Sequence, residues 1–108
     1  MIDPEEFLKF LKERRSIRAY LDKMISDDEI VMILEAGRWS PSASNKQPWE
    51  FLIIKNREIL KEISRRSIYG KHIKRAPLAI AIVGKIDENY NYYIQDTSLV
   101  SMNMMLMA

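Results

Sequence analysis

The sequence predicts an α/β pattern in which helices cover buried strands, and three observations support it. Hydrophobic residues make up 47% of the 108 residues and charged residues 30%, which is typical of one folded domain. Two short, almost continuous apolar runs have the length and β-branched content of buried strands. The apolar residues between them recur at helical spacing. The predicted order is helix, helix, strand, helix, strand, with a further helix at the end.

The first helix is predicted from Pro4 to about Arg14. Asp3 can cap it, and Glu6 stands at the spacing of a capping box. Its apolar stripe consists of Phe7, Leu8 and Leu11.

The second helix is predicted to begin after Ser26, which forms another capping-box spacing with Glu29. Three acidic residues follow Ser26 and favour the positive end of a helix. Gly37 stands near the end of the apolar pattern, where it can stop the helix or allow close packing.

Residues 50–55 and residues 78–84 are the two predicted buried strands. Asn56 can cap a third helix that runs through Ile63. Trp49 and Phe51 beside the first strand are expected to pack in the core, and core packing is also the favoured role of Trp39.

The last helix is predicted over residues 92–108. It is apolar around much of its circumference, as expected of a central buried helix. The tyrosine-rich run from Tyr90 to Tyr93 is expected to be an exposed loop that leads into it. The sequence stops at Ala108 without a polar last turn, so we expect a fragment, or a chain end that a partner covers.

Charge and composition exclude several classes of function. A net charge of +2 is too small to indicate a nucleic-acid partner. The absence of cysteine excludes disulfides and thiol catalysis, and a single histidine disfavours a metal site. The acidic start and the lack of a long apolar run indicate no signal peptide and no membrane partner, so a cytoplasmic protein is expected.

A basic segment follows the first helix: Arg14, Arg15, Ser16, Ile17 and Arg18. On an extended backbone, Arg14, Ser16 and Arg18 share one face and could hold a phosphate. The alternative is a basic helix end that complements the helix dipole. Composition alone favours that alternative.

Residues 40–47 form a polar loop of hydroxyls and amides, stiffened by Pro41 and Pro48. Burying so many polar groups without partners would cost about 1–3 kcal/mol each, so the loop is not core. Its donors and acceptors suit a heteroaromatic ring with polar edges. An ordinary capped turn explains the composition equally well.

Taken together, the two segments resemble the nitroreductase family of FMN-dependent oxidoreductases. The matching motifs are Arg-Arg-Ser-Ile-Arg-x-Tyr over residues 14–20 and Ala-x-x-Ser-Pro-Ser-x-x-Asn-x-Gln-Pro-Trp-x-Phe over residues 36–51. Residues 76–80 and residues 96–108, which include Asn103, are similar to a core strand and the central helix of that family.

The resemblance implies an α+β fold, with three α-β-α layers around a mixed, largely antiparallel sheet. Residues 1–108 would be the N-terminal part of a single FMN-binding domain, incomplete at the C-terminus. The family forms intertwined homodimers with FMN at the interface, so a homodimer is implied here.

The resemblance also assigns cofactor-binding residues. Arg14 and Ser16 would contact the phosphate and ribityl chain, with Arg15 in the same set, and Arg18 would lie near the pyrimidine edge of the flavin. The residues that would approach the ring, largely from the other subunit, are Pro41, Ser42, Ala43, Ser44, Asn45 and Gln47.

The implied reaction is hydride transfer from NAD(P)H, through FMN, to a nitroaromatic, a quinone or a related small-molecule acceptor. The flavin carries the chemistry, so no protein catalytic residue and no metal is expected. The alternative is a truncated flavin-binding or assembly module without full activity. Lys71 and Lys74 are further candidates for flavin contact, although a solvated basic loop is favoured there.

Overall fold

The computed structural model describes residues 1–108, which form four α-helices and two β-strands. These are α1 (Pro4–Glu13), α2 (Asp27–Arg38), β1 (Trp49–Ile54), α3 (Arg57–Arg66), β2 (Ala79–Gly84) and α4 (Tyr93–Met107). Single 3-10 turns occupy Ala43–Asn45 and Lys71–Arg75. None of the four helices has the length and apolar content that crossing a membrane requires.

The predicted starts of α1, α2 and α3 are confirmed, and each of these three helices begins with a local capping bond. The Asp3 carboxylate accepts a hydrogen bond from the backbone N–H three residues on, at 3.1 Å. Ser26 and Glu29 form a reciprocal capping box. The Ser26 hydroxyl accepts from the backbone N–H of Glu29 at 3.2 Å, and the Glu29 carboxylate accepts from the backbone N–H of Ser26 at 3.0 Å. Asn56 caps α3 in the same way at 3.0 Å. Helix ends were less predictable, and α3 continues three residues past Ile63.

Strands β1 and β2 pair antiparallel, with Trp49 opposite Gly84 and Ile54 opposite Ala79. Helix α4 contacts α2 and both strands. Ile33 and Leu34 of α2 pack against the same core residues as the strands do, so α4 does not separate α2 from the sheet, and the prediction that α4 is a central buried helix is wrong. The architecture is α+β, as the resemblance implied.

The core lies where α4 meets the sheet. Trp49, Val100 and Met104 are its buried members. The partly buried residues that pack against them are Ile33, Leu34, Phe51, Ile80 and Ile82. The expected packing of Trp49 and Phe51 is confirmed. The expected packing of Trp39 is wrong, because its side chain is 78% exposed at the end of α2.

The strands and α4 are less buried than their apolar sequences predicted. Leu52 is 58% exposed, and every residue of β2 is half-buried or exposed. On α4 only one stripe is buried, consisting of Asp96, Val100 and Met104. The reason is that these 108 residues supply a covering layer on one face of the sheet only.

Candidate functional site

The basic segment leaves α1 as extended backbone without regular structure, beginning at Arg14 with φ −58° and ψ 135°. Arg14 is half-buried, whereas Ser16 and Arg18 are exposed. The ion pairs of the chain involve neither Arg14 nor Arg18. Both guanidinium groups are therefore available to an external anion.

Arg15 has a different position. Its guanidinium donates to the carbonyl oxygens of Lys12 and Arg14, at 2.6 and 2.9 Å. These carbonyls end α1, so Arg15 completes the helix and complements its dipole. Arg15 thus differs from Arg14 and Arg18 in having hydrogen-bond partners within the chain.

The polar loop contains three left-handed residues that are not glycine. Ser44, Asn45 and Gln47 have φ values of 53°, 52° and 50°. Residues with a side chain seldom adopt this conformation, which costs of order 1–3 kcal/mol each and persists only where surrounding contacts fix it. Clusters of such residues are found at binding and catalytic sites.

Hydrogen bonds inside the loop fix part of this conformation. The Ser42 hydroxyl accepts from the backbone N–H of Gln47 at 3.0 Å, and the Gln47 side-chain amide donates to Asn45 Oδ1 at 2.8 Å. Pro41, Ser44, Asn45 and Gln47 are exposed, while Ser42 and Ala43 are half-buried. The loop therefore presents hydroxyl and amide groups to solvent.

Helix α4 holds the start of the loop through Asn103. The side-chain amide of Asn103 donates to Ser40 Oγ at 2.9 Å and to the carbonyl oxygen of Ala36 at 3.2 Å. Ser40 is only 5% exposed, so its hydroxyl is satisfied inside the protein.

Tyr90 precedes α4 and was expected in an exposed segment. That expectation is wrong, because Tyr90 is 8% exposed and its hydroxyl donates to the carboxylate of Asp96, itself 3% exposed. Burial, and then the hydrogen bond to Asp96 and its negative charge, raise the pKa of Tyr90 to about 12.

Sequence reasoning missed Tyr90 and Asp96, although a signal was present. Asp96, Val100, Asn103 and Met104 are spaced as one helical stripe, so two polar residues lie in phase with two core residues. A buried polar residue needs a partner. Asp96 is bonded to Tyr90, and the half-buried Asn103 is bonded to Ser40 at the start of the loop.

The basic segment and the polar loop are not joined within one protomer. No hydrogen bond or ion pair connects them. Ile17 of the basic segment and the residues that follow it line a cavity of about 590 Å³ with the first half of α2 and the end of α4. The loop instead follows the opposite end of α2, after Trp39.

In the basic turn Lys71–Arg75 before β2, Lys71 has a structural role. Its ammonium group donates to the carbonyl oxygens of Ser64 and Arg65, at 3.2 and 2.9 Å, and so completes the end of α3. Lys74 is exposed. The ring of His72 lies 6.0 Å from that of Tyr20, which brings the extended segment close to this turn.

The fold is α+β, and Asn103 of α4 is bonded to the start of a polar loop with three left-handed residues. The sequence profile of the nitroreductase family matches residues 11–70, so the chain belongs to this family. A protein of Archaeoglobus fulgidus named "Putative NADH dehydrogenase/NAD(P)H nitroreductase" is 40% identical over 107 residues, which cover 96% of this chain and 62% of that protein.

Solved structures share the fold. An FMN-dependent nitroreductase of Clostridium difficile matches with a TM-score of 0.85 and 33% identity, covering 93% of this chain and 58% of that one. A Desulfovibrio desulfuricans protein solved in complex with FMN matches with a TM-score of 0.82 and 33% identity, covering 100% and 63%. The chain thus spans about three fifths of the length of these proteins.

The residues present fit the chemistry of FMN. Its phosphate requires cationic or hydroxyl donors, which Arg14, Ser16 and Arg18 offer without internal ion pairs. Its ring has polar edges, which the exposed amides of Asn45 and Gln47 can match.

Proposed function

We propose that the chain is the FMN-binding part of a flavin-dependent NAD(P)H oxidoreductase. The observation that carries this proposal is the polar loop, which contains three left-handed residues and whose first residue, Ser40, is bonded to Asn103 of α4. A loop that only connects two elements needs no such support.

The proposed roles of the basic residues follow from the absence of ion pairs at Arg14 and Arg18. Arg14 and Ser16 bind the phosphate and ribityl chain, and Arg18 lies at the pyrimidine edge, where a cation stabilises negative charge on the ring. Arg15 is left out of the set, because its guanidinium is bonded to the end of α1.

The loop residues from Pro41 to Gln47 bind the ring. We propose that they do so from the second subunit of a homodimer, since the basic segment and the loop lie toward opposite ends of α2. Each FMN would then lie between two copies of the single domain formed by residues 1–108 and whatever sequence completes it.

Hydride transfer from NAD(P)H to a nitroaromatic or quinone acceptor is the chemistry that a bound flavin supplies. Relatives named NAD(P)H nitroreductase support this class of reaction. The protein residues bind and orient, and none is proposed as an acid, base or nucleophile. A cytoplasmic location, where NADH and NADPH are available, belongs to the same proposal.

A second candidate is a flavin-binding or assembly module without full activity. It is favoured by one observation, namely that the chain spans 62% of the length of its Archaeoglobus relative. Bound flavin without NAD(P)H oxidation would support this candidate.

The test is an FMN titration followed by visible absorption, with the mass in solution measured alongside. We expect stoichiometric flavin in the wild type and at least roughly tenfold weaker binding in Arg14→Gln and Arg18→Gln, because each loses a charge-assisted hydrogen bond. Arg15→Gln is the matched control and should bind FMN like the wild type. A wild-type chain that takes up no FMN would overturn the proposal for this chain.

A further inference from the structure

The side-chain amide of Asn103 joins helix α4 to the end of helix α2 and to the start of the polar loop. Its nitrogen donates to the carbonyl oxygen of Ala36 at 3.2 Å and to Ser40 Oγ at 2.9 Å. An amide nitrogen carries two N–H groups, so one asparagine can make both bonds. No other hydrogen bond joins α4 to α2 or to the loop.

The bond to Ala36 lies where the helical pattern of α2 stops. In a continued helix, the backbone N–H of Ser40 would donate to the carbonyl of Ala36, four residues earlier. Here that N–H donates to Gly37 instead, at 3.1 Å, because α2 ends at Arg38. The last carbonyls of a helix have no partner within it. The Asn103 amide therefore supplies the donor that the helix lacks and holds the first loop residue beside it.

The rest of the loop has no comparable attachment to the helices. The hydrogen bonds inside the loop join its residues to one another, so they do not determine how it stands relative to α2 and α4. After the loop, the carbonyl of Pro48 accepts from the backbone N–H of Lys85 at 2.8 Å, which continues the pairing of β1 with β2. Asn103 is thus the one side chain outside the loop that bonds its start.

We infer that Asn103 is a positioning residue, which fixes the direction in which the polar loop leaves α2. Asn103 is half-buried and Ser40 is 5% exposed, so water competes little for the bond between them. As far as the flavin is concerned, the inference rests on the proposed function, because the same bond would keep Asn45 and Gln47 in place against the ring. The attachment itself can be measured without a ligand.

The test compares Asn103→Leu with Gln95→Leu. Gln95 is the matched control, because its side chain is exposed on the same helix and its amide has no hydrogen-bond partner in the chain. The first measurement is backbone hydrogen exchange in residues 40–48 and in α3, in the absence of FMN. Helix α3 is the internal reference, since its main contacts are with the turn Lys71–Arg75. The second is the FMN dissociation constant, from quenching of flavin fluorescence.

Asn103→Leu should release the loop selectively. The hydrogen-bonded amides of Asn45, Lys46 and Gln47 should exchange at least roughly tenfold faster, while exchange in α3 stays close to that of the wild type. The variant should also bind FMN roughly tenfold more weakly, which is the loss expected for one hydrogen bond. Gln95→Leu should match the wild type in both measurements. Equal acceleration in α3 and in the loop would overturn the inference, as would unchanged exchange in the loop.

Ser40→Ala removes only one of the two bonds and keeps the test decisive if Asn103→Leu does not fold. It should accelerate exchange in the loop with the same selectivity and by a smaller factor. In the Asn103→Leu background, the same substitution should cause no further acceleration, because the bond that it removes is already lost. Additive effects of the two substitutions would contradict a direct bond between the two side chains.

The two proposals fail in distinguishable ways. If the wild type binds no FMN while Asn103→Leu still releases the loop selectively, the proposed function fails and the attachment stands. If the wild type binds FMN and Asn103→Leu changes neither exchange nor affinity, the positioning role fails and the proposed function stands. Selective release of the loop without a change in FMN affinity would overturn the part of the inference that concerns the flavin.

Discussion

At the scale of single residues, substitutions of Ser44 can test whether its left-handed backbone conformation is strained. Ser44 has φ 53°, a value that a β-branched side chain adopts only with a steric penalty. We expect Ser44→Val to lower the free energy of unfolding by about 1–3 kcal/mol. Ser44→Gly should be nearly neutral or stabilising, because glycine has no steric penalty at positive φ. Urea denaturation of the three proteins measures the difference, and equal midpoints would contradict this account of the loop.

The residue scale also shows which parts of the candidate site the sequence could predict. The polar loop was predictable, because the prolines, hydroxyls and amides of residues 40–47 stand next to each other in the chain. The burial of Tyr90 was not, since it depends on the folded chain that packs around its ring and on the bond to Asp96. Arg15 and Arg18 look alike in sequence, and only the bond from Arg15 back to the end of α1 distinguishes them.

At the scale of elements, the crossing of α2 and α4 depends on Gly37. A Cβ atom there would lie 2.8 Å from Met104 Sδ and 3.2 Å from Phe51 Cζ, closer than van der Waals contact. Gly37→Ala should therefore lower the free energy of unfolding by about 1–3 kcal/mol, although alanine is the better helix former. In a Met104→Ala background the same substitution should cost less, because the clashing side chain is gone. Additive effects in this cycle would contradict direct contact.

Ion pairs near the end of helix α3 make a contribution to folding stability that depends on pH. Hydrogen bonds from Arg65 and then Arg66 lower the pKa of Glu62 from 4.5 to about 2. A lowered pKa means that the charged form is favoured in the folded state, so the stabilisation is present above pH 4.5 and disappears as the pH falls toward 2. The difference in urea midpoint between wild type and Glu62→Gln should follow this course. A difference independent of pH in that range would show that the pairs contribute nothing to stability.

The elements themselves were largely predictable where their signals are local. Asp3, Ser26 and Asn56 each cap the helix that the sequence assigned to them. The end of α3 and the exposure of Leu52 were not predictable, because the first involves Lys71 of the following turn and the second depends on which layers cover the sheet.

At the scale of the whole molecule, the chain exposes much apolar surface. The exposed side of α4 includes Ile94, Leu99, Met102 and Met105, and β1 exposes Leu52 and Ile53. Contiguous apolar surface of this kind marks an interaction site in a folded protein. The exposed apolar residues of α4 and β1 therefore agree with an assembly in which further protein covers them.

The proposed assembly makes a prediction that single variants cannot test. If each flavin lies between the basic segment of one protomer and the loop of the other, defects in the two parts should complement each other. One variant would carry Arg14→Gln with Arg18→Gln, and the other Asn45→Ala with Gln47→Ala. Each alone should bind FMN weakly, since every site in its homodimer has one defective half.

The two variants are co-expressed with different affinity tags, and mixed dimers are isolated by two successive purifications. A mixed dimer contains one site built from both intact halves and one built from both defective halves. It should therefore retain FMN with wild-type affinity at one of its two sites. Sites built within single protomers would give no such recovery, because each protomer brings one defective half. Recovery would thus assign the basic segment and the loop of each site to different chains.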